Sequence, residues 1–405
     1  MFFRRIKIIL SSIFLLTLTS VLSADPFISG NAGGKTKFTP RSENEKLKLD
    51  MSFLAFYSGQ INFSPDIWSR AGFSLETQNL ISKAPFTKTD SMFQVDEISI
   101  TFRHKLDSLS NYFSFFMGSF DPVGSDIFLQ RQFGINSITS KLSETWLGPN
   151  SNLIYAQSGI GICDIIRFKS PIAAGIYAYI NHEDSDYYVF NSDFRIGSTR
   201  RYLSYDFAGG ISAPVATKKY DNIILAVEGV NWHAAGTILL GNNYTTSLFL
   251  QSGINKGYFA PTSEKSVIDI KDLYLIVEPR FINTKVKTHL SLFTLPQSTA
   301  QNLLFIKGTL GTNLNIFSDT LTTRNTGLDF GANISFSFSD INLLTLYKIN
   351  GAMESGEYNI IFTPYILSKI SEGQINAMLS LNVMGFVLRK PEQAVLFNIA
   401  YKTSF

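Results

Sequence analysis

Between Ala394 and Phe405 the chain changes character at almost every step. Val395, Phe397, Ile399, Tyr401, Thr403 and Phe405 form one set, apolar or aromatic apart from the threonine. Ala394, Leu396, Asn398, Ala400, Lys402 and Ser404 form the other, small or polar apart from the leucine. A period of two is the signature of a β-strand, whose successive side chains point to opposite faces. The pattern recurs along the chain. It is clearest at Leu328 to Phe338, where Leu328, Phe330, Ala332, Ile334, Phe336 and Phe338 alternate with Asp329, Gly331, Asn333, Ser335 and Ser337. Leu47 to Tyr57, Ile98 to Phe102, Leu273 to Phe281 and, less strictly, Leu304 to Ile316 repeat it.

Sheets of this kind have one oily face and one wet face. In a soluble sandwich the oily face meets a second sheet; in a membrane barrel it meets lipid, and the polar face lines a lumen. The number of runs and their aromatic content (14% of the chain) favour the barrel. After residue 24 no stretch approaches 18 continuous apolar residues, so no helix is long enough to span a bilayer. The expected fold is an all-β transmembrane antiparallel barrel of about 16 strands, with 14 or 18 also compatible with the even counts of such barrels.

Residues 1–24 read as a secretory signal peptide. Arg4, Arg5 and Lys7 precede an apolar core from Ile8 to Val21, and small residues follow; cleavage after Ser23 and after Ala24 both fit. This leader holds three of the 35 basic residues and no acid, which leaves 32 basic against 32 acidic residues in the remainder. A balanced chain without a basic stripe is not expected to bind nucleic acid. Cys163 is the single cysteine, so no internal disulfide can form.

With these residues in view, the final strand resembles that of bacterial outer-membrane β-barrels of the porin-like class. The resemblance implies that Phe397, Ile399, Tyr401 and Phe405 form the address read by the barrel-assembly machinery, with Thr403 a weaker match. It also implies a diderm bacterium, an outer-membrane location, lipid around the barrel, and passive diffusion of small hydrophilic solutes through it. A homo-oligomer is compatible with this class. Two rivals stay open: a plugged transporter of hydrophobic solutes, similar to the fatty-acid channels, and a surface adhesin or structural barrel.

Residues 25–44 are polar and rich in glycine and proline, and read as a flexible N-terminal segment before a barrel at 45–405. Ser29 to Thr36 imitates a phosphate-binding loop but lacks its strand and helix context. The stretch at 120–152 is long for a loop and unusually apolar, with Phe128, Leu129, Phe133, Ile135 and Trp146. It is expected to fold into the barrel and narrow the pore, where Asp121, Asp126, Arg131, Lys141 and Glu144 would set the charge met by a solute. Arg103, Asp193, Arg195, Arg280, Lys307 and Asp329 are expected on the lumen wall. The four histidines show no metal spacing and no nucleophile motif is present, so no enzyme activity, metal or cofactor is expected.

Overall fold

A computed structural model describes residues 27–43, 46–77, 79–81, 91–147, 154–155, 157–181, 187–217, 229–259, 267–283, 286–318, 327–370 and 372–405. The expected signal peptide at 1–24 lies outside them.

Among the described residues eighteen strands make one sheet. The first half comprises β1 (Phe27–Glu43), β2 (Lys46–Ser64), β3 (Ile67–Thr77), β4 (Ser91–Lys105), β5 (Leu109–Ser119), β6 (Ser158–Phe168), β7 (Ile172–Asn181), β8 (Tyr187–Arg200) and β9 (Leu203–Thr217). The second comprises β10 (Asn231–Leu240), β11 (Ser247–Tyr258), β12 (Leu273–Ile282), β13 (Lys287–Thr294), β14 (Leu310–Phe317), β15 (Leu328–Phe338), β16 (Tyr358–Ile370), β17 (Gly373–Asn382) and β18 (Val395–Ser404). Each strand pairs antiparallel with its neighbours in sequence, and β1 pairs with β18, so the sheet closes on itself. Closure leaves no unpaired edge to face lipid.

At the seam Gly34 stands opposite Tyr401, Thr36 opposite Ile399 and Phe38 opposite Phe397. Gly30 and Phe405 exchange both backbone hydrogen bonds, at 2.9 and 3.0 Å. The Phe405 ring stacks on Tyr57, with centroids 5.8 Å apart. The strand count lies within the expected range, but 25–44 does not behave as expected: Phe27–Glu43 is a full wall strand rather than a flexible segment. Its glycines reduce its own strand preference, and pairing with β2 and β18 on both sides supplies what the local sequence lacks. Gly33 is needed there, because a Cβ would lie 2.4 Å from the Tyr401 carbonyl oxygen.

The alternation reads directly as outside and inside. Ile176, Phe194, Phe281, Phe330 and Ile366 stand exposed on the outer surface, Ile176 at 62% and Phe330 at 60%. At about 25 cal/mol per Å² of apolar surface, a belt like this would be costly in water and is matched by lipid. Inward stand Asn191, Asp193, Arg195, Glu278, Arg280, Asn333 and Asn398, all buried.

The two rims differ. At one rim the strands are joined by 65–66, 106–108, 169–171, 201–202, 241–246, 283–286, 318–327 and 371–372, most of them only two to six residues long. At the other rim the strands are joined by 44–45, 78–90, 120–157, 182–186, 218–230, 259–272, 295–309, 339–357 and 383–394, most of them longer. Two of these long connections carry helices that pack with the barrel core: α1 (Ile127–Phe133) in 120–157 and α2 (Gln297–Asn302) in 295–309.

Candidate pore-lining site

The connection after β5 leaves from the long-loop rim and reaches the opposite one. Asn136 donates from Nδ2 to the Tyr244 hydroxyl at 3.2 Å, and Asn243 Nδ2 donates to the Ser137 carbonyl at 2.8 Å. Asn243 and Tyr244 sit in the 241–246 turn of the short-turn rim. On its way the segment touches walls spread around the barrel: β4, β7 and β8 near its start, β11 and β12 beyond, then β16 and β1. A stretch that meets all of these runs through the interior.

Its first anchor is Asp121, fully buried. The Tyr177 hydroxyl donates to Asp121 Oδ2 at 2.8 Å, and Arg131 Nη1 donates to Asp121 Oδ1 at 2.7 Å. Arg131 also pairs with Glu97 on β4 and lies over the Phe120 ring, 4.9 Å from its centroid. Burial works against the Arg131 charge, but Glu97 and Asp121 outweigh it and raise its pKa above the ordinary arginine value. Arg195 Nη1 donates to the Asp121 carbonyl at 2.6 Å and is itself held by Asp206 at 2.9 and 2.5 Å. Helix α1 packs against the wall at Gly197, where a Cβ would come within 2.8 Å of the Phe128 ring.

The second anchor is Glu278 on β12. It accepts from Arg280 Nε at 2.8 Å, from Ser291 Oγ at 2.6 Å and from Ser140 of the inner segment. His289 Nδ1 lies 3.1 Å away. Arg280 Nη2 donates to the Ile138 carbonyl at 2.9 Å and stacks over Phe249. Four neighbours on one carboxylate fix the descending chain where it turns back.

The third contact is apolar. Trp146 meets Tyr365 of β16 at 4.3 Å and Phe305 at 5.2 Å between centroids. Phe305 and Ile306 belong to the 295–309 connection, a second inward segment, and are buried. Trp146 holds a φ of 53°, a conformation that costs of order 1–3 kcal/mol and persists only where the surroundings impose it.

The expected constriction residues therefore divide. Asp121 and Arg131 meet in one network. Asp126 is turned into the segment itself, accepting from the Ile138 amide at 2.6 Å and from Gln130 at 2.7 Å. Lys141 and Glu144 pair at 2.5 Å, and the Lys141 ammonium also lies 4.8 Å from the Phe317 centroid. Of the expected wall residues, Arg195 and Arg280 hold the inner segment, and Asp193 accepts from Tyr179 and Gln157, both at 2.9 Å. Asp329 is buried on β15 beside Ser318. Arg103 pairs with Asp66 at the short-turn rim. Lys307 is a correction: it stands in the 295–309 connection, not on a strand, and donates to the Gln393 carbonyl at 2.9 Å. The alternation of Leu304, Ile306 and Leu310 mimicked a strand, whereas the large Phe305 out of phase with it was the contrary signal.

Elsewhere on the inner face Asn313, Asn333, Asn376 and Asn398 are buried with neither side-chain atom hydrogen bonded. Inward side chains that still meet water include Lys35, Lys37, Gln60, Arg70, Glu76 and Lys402 on β1–β3 and β18, Gln94 on β4, and Lys287 on β13, which lines a cavity with Lys141 and Glu144 of the inner segment. Lys35 and Lys37 escape a reading of the sequence because the glycine-rich β1 reads as a flexible segment.

No family model matches the chain, and no curated protein matches it. Solved structures that resemble it include a mutant of the Rhodopseudomonas blastica porin, at a TM-score of 0.46 and 8% identity over 94% of this chain and 100% of that one. A loop-deletion mutant of OmpT, an outer membrane protein of Vibrio cholerae, aligns at a TM-score of 0.40 and 9% identity over 94% and 99%. The closed antiparallel sheet, its apolar exterior and its polar interior define a β-barrel of the membrane-spanning type.

Proposed function

We propose that this barrel is a restricted channel through which small hydrophilic solutes diffuse passively, along the β1–β3 and β18 side of the lumen. One observation carries the reading. The 120–147 segment runs from rim to rim against much of the wall, and the largest group of inward charged side chains left in contact with water lies on β1–β3 and β18. Eighteen strands enclose a lumen too wide for wall side chains alone to fill, so an inner segment is needed to set its bore. In this reading residues 1–24 are an export leader and the short-turn rim faces the periplasm. Phe397, Ile399, Tyr401 and Phe405 serve as the assembly address, lipid surrounds the belt, and self-association into oligomers is compatible with the exterior.

Conductance of the refolded protein in planar bilayers tests the proposal. Small ohmic steps are expected, with larger steps after deletion of 127–144. A folded, inserted barrel that stays silent both intact and after the deletion would remove it. The Trp146, Phe305 and Tyr365 contact favours one second reading, a barrel held shut at rest. Silence of the intact protein with conduction by the deletion variant would select that reading.

A further inference from the structure

The charges that anchor the inner segment are paired, with one carboxylate in excess: Arg131 with Glu97 and Asp121, Arg195 with Asp206, Arg280 with Glu278. The water-contacting side is different. Lys35 and Lys37 share the inner face of β1, two residues apart. Lys402 on β18 stands opposite Gly33, one step closer to the short-turn rim than Lys35. Lys307 reaches the same side from the 295–309 connection, and with Lys37, Gln301, Asn302, Ser380 and Glu392 lines a cavity of about 180 Å³. Among the described residues none of these four lysines forms an ion pair. Lys35 Nζ lies 3.4 Å from the Thr145 carbonyl, which places it beside the inner segment. Glu76, Glu392 and Asp50, the last opposite Thr39 and paired with Arg41, are carboxylates on the same side, and the lysines outnumber them.

We propose that Lys307, Lys37, Lys35 and Lys402 form a ladder down the seam side of the lumen that concentrates small anions bearing carboxylate or phosphate groups. Resting on the channel reading above, this makes such anions the preferred permeants. The lysines are point charges on flexible stems, suited to passing an anion from one to the next rather than gripping it bidentately. A wall of one sign in a cleft of low-dielectric walls raises the local counter-ion concentration by tenfold or more.

Thr39 lines the same cavity as Lys37, so Thr39→Cys places a thiol beside the ladder, while the native Cys163 is buried and the parent protein treated alike gives its background. The expected result is that a sulfonate-bearing methanethiosulfonate modifies the introduced thiol about tenfold faster than a trimethylammonium-bearing one. Adding Lys37→Glu and Lys307→Glu should bring the two rates to parity or invert them. Equal rates in the Thr39→Cys protein, or a faster cationic reagent, would overturn the ladder. Reversal potentials in a KCl gradient read the channel separately: an anion preference lost in Lys35→Gln supports both ideas. Bilayers silent both intact and after deletion of 127–144, with the sulfonate preference kept, would remove the channel and leave the ladder standing.

Discussion

Asn136 and Tyr244 hydrogen bond across 3.2 Å, joining a segment that starts at one rim of the barrel to a turn at the other. Together with the Asn243 contact to Ser137 it closes a latch exposed to water. A hydrogen bond of this kind contributes about 0.5–1.5 kcal/mol. Tyr244→Phe combined with Asn243→Ala should leave the barrel folded and free the segment's tip. Single-channel records should then show more frequent transient openings at an unchanged mean step. Records as quiet as those of the parent would show that the latch holds nothing.

Glu278 is the stronger tie. Glu278→Ala leaves the Arg280 guanidinium buried without its carboxylate, and loss of one partner of a buried pair costs roughly 3–5 kcal/mol. The midpoint of heat modifiability on gels should fall clearly, and conductance should rise as Ser140 is released. Ser291→Ala, which removes a single donor from the same carboxylate, should cost about 1–2 kcal/mol.

Not every buried polar group should matter. Asn333 is fully buried, yet neither its Nδ2 nor its Oδ1 finds a partner. Asn333→Ala therefore removes no hydrogen bond, and its effect on the unfolding midpoint should be small, within about 1 kcal/mol. A loss as large as that of Glu278→Ala would mean that the amide is bonded in the native barrel.

The cavity beside the ladder should respond to alkali. Burial, followed by the Lys37 ammonium, holds the Lys307 pKa below the ordinary lysine range, with Glu392 acting in the opposite sense. Between the folded and unfolded values the unfolded chain binds more protons, so this group's contribution to stability increases as pH rises through that window. Attraction of anions runs the other way, because the charge is lost. The ratio of the two thiosulfonate rates at Thr39→Cys, which cancels the ionisation of the thiol itself, should therefore decline before pH reaches the free lysine value of about 10.4. Lys307→Arg should postpone the decline.

Much of this architecture is legible in the chain, and what is hidden follows a rule. From Leu328 to Phe338 the pattern assigns the outward and inward residues one by one, because lipid and lumen demand opposite chemistry at alternate positions. β1 escapes notice since Gly30, Gly33 and Gly34 show no apolar face; its conformation comes from two flanking strands. Lys307 is misplaced for the converse reason: a short alternation arises by chance in a connection whose Phe305 faces the interior. The networks around Asp121 and Glu278 join residues more than 50 and more than 130 positions apart. Spacing in one sequence carries no trace of such pairs, although the surplus of apolar residues at 127–146 did mark that stretch as something other than a surface loop.

The closing seam has a consequence in time. Asn31 and Ser404, which meet across it, are 373 positions apart, so no local event can bring them together. Every other strand can zip onto the hairpin before it, but β1 must wait with its outer hydrogen-bonding groups vacant until β18 has arrived. Until then the growing sheet offers two sticky margins, the condition under which strands add to foreign chains. The slowest and most hazardous moment in this barrel's birth is therefore the handshake between Gly30 and Phe405, and any escort for the nascent protein has most to protect at those two borders.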